Sequence, residues 1–307
     1  MFKGTVTNLS ISYDALNESN TFSRGDVISG RVTFDVSKEI KVEYLTVSAK
    51  GKASVHWTER YGRHTAFYKA KERYIKLENI IIKQNSEQNN LQPGTHVYSF
   101  TFQIPMIELP SSFVGMYGKV VYQLEAKLHR PWHLPNTSVK GFTVINPVNI
   151  QSPELLAPQM ASKNKTVCCL CCASGPIALS ARIERRAFTL GESIRIFSEI
   201  ENGSSRTIRP KAEIVQKQTF YARGKEKSLV TKIVSVEGEP FFSGKTGTWN
   251  GELPRIPFNT SFSIQNCQIL KVEYIVVVYV AIPAAIDLSV EFPVIISSFP
   301  MDYPMYM

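Results

Sequence analysis

The 307-residue sequence has no apolar run long enough to span a bilayer as a helix. The longest, Ile275 to Ile286, is cut by Pro283 and dominated by Val and Ile, which predicts a strand buried on both faces. Met1-Phe2-Lys3-Gly4-Thr5 has neither the apolar core of a secretory signal nor the second-position Gly that myristoylation needs, so glycosylation triplets such as Asn136-Thr137-Ser138 carry little weight. Five cysteines, four of them crowded into Cys168, Cys169, Cys171 and Cys172, make no disulfide framework, and a reducing cytoplasm is the expected setting. Catalytic signatures are missing too. Gly-x-Ser-x-Gly is absent. Gly238 to Thr246 has one residue too many between its glycines for a phosphate loop, and the sequence after it cannot start a helix. Among His56, His64, His96, His129 and His133 no pair has metal-ligand spacing, because Pro131 forbids the helix that would align the last two. His129 with Trp132 reads as structural packing. No enzymatic activity, metal or cofactor is expected.

Basic residues outnumber acidic ones by 35 to 26, a net charge of +9. The excess is shared, 18 against 12 through residue 150 and 17 against 14 beyond it. Such a surface favours acidic partners: anionic lipid headgroups, phosphorylated peptides or nucleic acid. Two-residue alternation runs through Val42–Lys50, Tyr98–Ile104, Tyr122–Leu128 and Ile194–Ile200, with Gly, Pro and Asn between such stretches. Many short strands and no capped amphipathic helix predict an all-β protein of antiparallel sandwiches.

The sequence also repeats itself. Phe22-Ser23-Arg24-Gly25-Asp26-Val27-Ile28 returns as Phe188-Thr189-Leu190-Gly191-Glu192-Ser193-Ile194. Tyr122-x-Leu124-x-Ala126-x-Leu128-x-x-Pro131 returns as Tyr274-x-Val276-x-Val278-x-Val280-x-x-Pro283, and Phe142-Thr143-Val144 as Phe292-Pro293-Val294. The order is kept, which predicts two copies of one β-sandwich. Phe-x-x-Gly-Asp/Glu suits a turn entering a strand, since Gly permits positive φ and the acid can accept backbone hydrogen bonds. A boundary is expected in Asn146–Lys165, rich in Pro, Asn, Ser and Gln, and two sandwiches on a short linker would leave a crevice suited to clamping another protein.

Leu128-His129-Arg130-Pro131-Trp132, the Cys-rich linker, Ser174-Gly175-Pro176-Ile177, Ile183-Glu184-Arg185, Glu199-Ile200-Glu201-Asn202, Pro210-Lys211-Ala212 and Val272-Glu273-Tyr274 together resemble the alpha-arrestin (arrestin domain-containing) family. The resemblance implies tandem immunoglobulin-like arrestin sandwiches: an N-domain over 1–146, a linker over 147–167, a C-domain over 168–300 and a short tail over 301–307. It further implies a cytoplasmic adaptor, peripheral at the plasma membrane and endosomes, that binds cytoplasmic segments of membrane receptors or transporters for endocytosis and sorting. A coat-type cargo-sorting subunit of an endosomal complex is the alternative, since the fold recurs there. Family members usually recruit WW-domain ubiquitin ligases through Pro-Pro-x-Tyr motifs. No Pro-Pro dipeptide occurs here, so direct recruitment by that route is not expected. A thioredoxin-binding member uses a cysteine just before the tryptophan that matches Trp249; Thr246 stands in that place, and a mixed disulfide is not expected.

Two clusters are candidate sites. Lys50, Lys52, Arg60, Arg63, Lys69, Lys71 and Arg73 are opposed only by Glu59 and Glu72, with Trp57, Tyr61, Phe67 and Tyr68 interleaved. They suit phosphorylated receptor tails or an anionic membrane surface. They equally suit a solvated hairpin whose charges block edge-to-edge pairing. Single-stranded nucleic-acid binders share the composition, but no such module accompanies it and no nucleic-acid partner is expected. A second basic set, Arg206, Arg209, Lys211, Lys217, Arg223, Lys225 and Lys227, should be scattered over two strands and a turn. Cys168, Cys169, Cys171 and Cys172 are too close in sequence to wrap one zinc, which leaves packing at a strand start or reversible S-acylation, with redox chemistry behind both.

Overall fold

A computed structural model describes residues 5–83, 89–169 and 172–298, with the side chains of 167–174 outside the description. The chain forms two compact units. One comprises Met1–Asn146 with Phe220–Lys225 and Asn266–Leu270; the other comprises Pro147–Thr219, Glu226–Gln265 and Lys271–Met307.

The strands of the first are β1 (Val6–Tyr13), β2 (Thr21–Phe22), β3 (Val27–Val36), β4 (Ile40–Lys41), β5 (Tyr44–Tyr61), β6 (His64–Ile82), β7 (Asn90–Leu91), β8 (Gly94–Gln103), β9 (Phe113–Val114), β10 (Gly118–His129) and β11 (Asn136–Val144). They make a β1-β3-β8 sheet and a β2-β11-β10-β5-β6 sheet, with β9 on β10 and a small β4-β7 ladder. Strand alternation drives the core. On β10, Val120, Tyr122, Leu124, Ala126 and Leu128 are buried while the residues between them face outward. Tyr13, Phe22 and Phe142 meet edge to face, with centroids 5.6 to 6.5 Å apart. A Cβ at Gly51 would overlap the Tyr122 ring, so that ring lies directly against the β5 backbone.

After one helical turn, α1 (Pro153–Leu156), the second unit follows with β12 (Gln159–Cys169), β13 (Cys172–Ile183), β14 (Ala187–Thr189), β15 (Arg195–Asn202), β16 (Arg209–Ala222), β17 (Lys225–Glu237), β18 (Thr246–Glu252), β19 (Leu270–Ala281) and β20 (Leu288–Ser297). These make a β12-β13-β15-β18 sheet and a β14-β20-β19-β16-β17 sheet. The repeated turn is the same in both units. Gly25 and Gly191 both sit at φ 83°. Asp26 accepts the Ser23 amide at 2.6 Å, and Glu192 accepts the Thr189 amide at 2.7 Å. In each unit the strand before this turn joins the sheet edge in parallel, β2 on β11 and β14 on β20.

Three expectations differ from the structure. Residues 159–167, expected as linker, lie on β12, which pairs with β13 from Gln159↔Ile183 onward. Its residues 159–166 are exposed or half-buried, so the strand carries no apolar stripe to announce it. The Ile275–Ile286 run is not buried on both faces. Val276, Val278 and Val280 are buried, but Ile275, Val277 and Tyr279 on the outer face are half-exposed, and Ile286 is 81 % exposed beyond the Pro283 turn. Finally, His129 does not pack on Trp132. It stacks on Tyr44, centroids 4.0 Å apart, while Trp132 is wholly exposed. Burial lowers the His129 pKa, the Lys127 charge lowers it further, and Glu43 opposes both.

Candidate functional site

The longest hairpin is β5–β6, turned by Gly62-Arg63 with Gly62 at φ 60°. Its register decides which members of the first basic cluster meet. Lys52 lies opposite Arg73, Ser54 opposite Lys71, His56 opposite Lys69, and Thr58 opposite Phe67. Directly opposed residues of an antiparallel pair share a face. Ala53, Val55 and Trp57 are buried, so the other face, carrying Lys52, Lys69, Lys71 and Arg73, is the outward one. Trp57 stacks on Tyr68 at 5.1 Å beneath it.

The adjoining strand adds a cation from far along the chain. Lys119 on β10 is opposite Ser54 on β5, which is opposite Lys71 on β6. Two strand spacings put the Lys119 and Lys71 backbones roughly 10 Å apart with only a serine between them. Ser54, His56, Lys69, Lys71, Met116 and Lys119 line a groove of about 430 Å³, closed at one side by the Gly115–Gly118 turn, where the His56 amide donates to the Tyr117 carbonyl at 2.7 Å. No acid lines it. Among the described residues Lys52, Lys69, Lys71, Arg73 and Lys119 form no ion pair. Like charges directly opposed, as at Lys52 and Arg73, oppose folding by a few tenths of a kcal/mol to about 1 kcal/mol. This face therefore carries charge that its own fold does not neutralise.

The remaining members are placed differently. Lys50 pairs with Glu125, which also holds Lys127 at 3.4 Å. Burial pushes the Glu125 carboxyl up, but the Lys50 hydrogen bond and the two lysine charges outweigh it and hold its pKa below the ordinary value. Arg60 donates through Nε to the Gly62 carbonyl at 3.2 Å, and Arg63 is in the turn itself, so both sit at the hairpin tip. Lys119 is the member that sequence proximity misses, because only the β10–β5 register brings it in.

The second basic set is dispersed as expected. Arg209 and Lys211 on β16 share Glu237 at 3.1 and 2.7 Å, and Arg206 donates to the Pro283 carbonyl. Lys217 is farther along β16, Arg223 is in the turn, and Lys225 and Lys227 open β17. Of the cysteine cluster, Cys171 lies outside the described residues. Cys168, Cys169 and Cys172 are on the backbone ladder at the closed end of β12–β13, with Cys169 opposite Cys172, and their side chains lie outside the description. The expected tail at 301–307 also lies outside the described residues.

An outward sheet face whose lysines and arginine form no ion pair among the described residues, with Glu72 turned to the opposite face opposite Ala53 and Glu125 taken up by Lys50 and Lys127, can hold anions by charge-assisted hydrogen bonds. Among the described residues no helix is long and apolar enough to cross a membrane.

Comparison with known proteins fits the duplicated architecture. Residues 9–151 match the family described as Arrestin (or S-antigen), N-terminal domain, and residues 173–301 match Arrestin (or S-antigen), C-terminal domain. Arrestin domain-containing protein 4 of Homo sapiens is 36% identical over 307 residues, covering 97% of this chain and 73% of that protein. Its counterpart in Mus musculus is 34% identical over the same shares. Thioredoxin-interacting protein of Homo sapiens is 34% identical over 280 residues, covering 90% of this chain and 71% of its own length. With both domains matched in order and relatives of this similarity along nearly its whole length, the chain belongs to the arrestin family, within its alpha-arrestin branch.

Proposed function

We propose that this chain is a non-enzymatic adaptor that holds phosphorylated cytoplasmic segments of membrane receptors or transporters on the outward face of β10-β5-β6, and so commits that cargo to endocytosis and sorting. The observation that carries the reading is the set Lys52, Lys69, Lys71, Arg73 and Lys119, gathered on one face without an ion pair among the described residues. Phosphate carries two charges near neutral pH and accepts several hydrogen bonds, so a phosphorylated segment gains most from such a face. An extended peptide advances about 6.8 Å every second residue, the same step that separates Lys69, Lys71 and Arg73 along β6. On this reading the chain works in the cytoplasm, peripherally at the plasma membrane and endosomes. Ubiquitin-linked down-regulation of the cargo belongs to the same reading.

The test is fluorescence anisotropy of a doubly phosphorylated receptor-tail peptide and its unphosphorylated twin, titrated with the whole chain at several salt concentrations. Phosphate-dependent binding that weakens as salt rises is expected. Lys69→Glu with Lys71→Glu should reduce affinity at least about tenfold. Equal affinity for the two peptides, or binding untouched by the double reversal, would remove the assignment.

A further inference from the structure

Two turns occupy matching places in the duplicated sandwiches. Arg130-Pro131-Trp132-His133 closes β10–β11, with the His133 amide donating to the Arg130 carbonyl at 3.2 Å and Trp132 at φ 60°. Ile282-Pro283-Ala284-Ala285 closes β19–β20, with the Ala285 amide donating to the Ile282 carbonyl at 3.2 Å and Ala284 at φ 56°. Proline second and positive φ third are the marks of a type II turn, whose third position favours glycine. Ala284 shows that this turn needs no large side chain. A tryptophan there is strained in its backbone and gains no packing in return, being wholly exposed, and Leu134 two residues on is 90 % exposed. Large apolar groups held in water at a strained point serve something outside the fold.

The surface behind this tip is cationic. Lys38, Lys41, Arg130 and His133 line a hollow of about 250 Å³ in which Glu39 is the only acid among the described residues. Lys38 and Lys41 form no ion pair among the described residues. Arg130 reaches Asn136 Oδ1 through Nη2 at 3.4 Å, while its buried Nε has no partner among the described residues. The His133 ring is bonded to its own turn, with Nδ1 2.7 Å from the Pro131 carbonyl, which leaves Lys38 and Lys41 as the uncommitted charge. At the other turn the nearby lysine and arginine both serve its backbone. Lys165 donates to the Ile286 carbonyl at 2.6 Å, Arg206 to the Pro283 carbonyl, and Asp287 adds a carboxylate that accepts the Ile282 amide at 3.0 Å. Exposed tryptophan and uncommitted positive charge coincide at the β10–β11 tip.

We propose that the β10–β11 tip is a membrane-docking point: Trp132 and Leu134 enter the interfacial layer of an anionic bilayer while the hollow lined by Lys38, Lys41, Arg130 and His133 receives a lipid headgroup. Tryptophan favours the water–hydrocarbon boundary, where its ring is buried and its N–H stays hydrated. Apolar insertion and attraction to anionic lipid are each weak alone, and together they make reversible anchoring. The inference goes beyond the phosphopeptide reading and does not rest on it, since none of these residues belongs to the β10-β5-β6 cationic face.

The experiment is cosedimentation of the whole chain with phosphatidylcholine vesicles that contain or lack phosphatidylserine, with brominated acyl chains reporting tryptophan depth. Salt-sensitive binding to the anionic vesicles is expected, with tryptophan quenching that Trp132→Gly abolishes. Trp132→Gly, Leu134→Ser and the Lys38→Glu/Lys41→Glu pair should each cut partitioning at least about tenfold. Trp132→Gly should melt no lower than the parent, because glycine suits the turn, which separates lost docking from misfolding. Ala284→Gly, the same change in the other turn, should leave partitioning within about twofold. Ser54→Glu, placed to block peptide binding, should also leave it within about twofold, so failure of the peptide reading and failure of docking give different results. The proposal is overturned if Trp132→Gly partitions like the parent, if lipid charge makes no difference, or if Trp132 responds to phosphopeptide and not to lipid, which would make the tip a peptide contact.

Discussion

The hairpins β5–β6 and β16–β17 lie in corresponding sheets of a duplicated fold, and both are rich in lysine and arginine. Their charges are handled in opposite ways. On β16–β17, Glu237 takes Arg209 and Lys211, and Glu213 takes Lys232 at 2.6 Å. Hydrogen bonds from Lys211 and then Arg209 hold the Glu237 carboxyl below its ordinary pKa, and the bond to Glu213 raises that of Lys232. On β5–β6 the cations facing outward from Lys52 to Arg73 have arginine, lysine, serine and histidine as cross-strand neighbours. A basic count therefore says little about binding; the placement of acids within the ladder decides whether charge is left for a partner.

Converting one hairpin into the other is the sharpest test of that difference. Ser54→Glu places a carboxylate between Lys119 and Lys71 and should lower phosphopeptide affinity at least about tenfold while raising stability by roughly 0.5 kcal/mol, read by anisotropy and by thermal melts. A loss of stability with affinity intact would show that the face is not electrostatically frustrated. Glu125→Gln removes the counter-charge of Lys50 and Lys127 at the edge of that face and should destabilise the chain at neutral pH by about 1 kcal/mol. Because the folded Glu125 pKa is depressed, its contribution is complete above the unfolded value and is lost as the pH falls through the folded one. The gap between parent and variant should accordingly close below the ordinary glutamate value of 4.5. Trp132→Gly and Ala284→Gly relieve the same backbone strain in the two turns and should stabilise alike, by about 0.5 kcal/mol each in denaturant titrations. The smallest effect is expected from Glu237→Gln, which frees Arg209 and Lys211 and should let β16–β17 gain phosphopeptide affinity of about twofold.

Much of the fold was legible because its determinants are local. The alternation on β10 and β19 and the Phe-x-x-Gly-acid turn each depend on neighbouring residues, and the acid of that turn does accept the amide three residues before it. Strand β12 was hidden because its ladder is made by backbone groups under polar side chains. At the candidate site, a contiguous basic stretch was visible, but its sorting was not. Lys50 is neutralised by Glu125, 75 positions away, and Lys119 joins from β10, so membership depends on register between strands. The exposure of Trp132 was not legible, because His129 finds its aromatic partner in Tyr44 on another strand and the ring is left wholly exposed on the turn.

The most direct measurement is hydrogen exchange of the whole chain with and without a doubly phosphorylated receptor-tail peptide. Added protection is expected in β5, β6 and the Gly115–Lys119 segment, reduced as salt rises, with β16–β17 unchanged. Protection shared equally by both hairpins, confined to β16–β17, or produced as well by the unphosphorylated peptide would contradict the account.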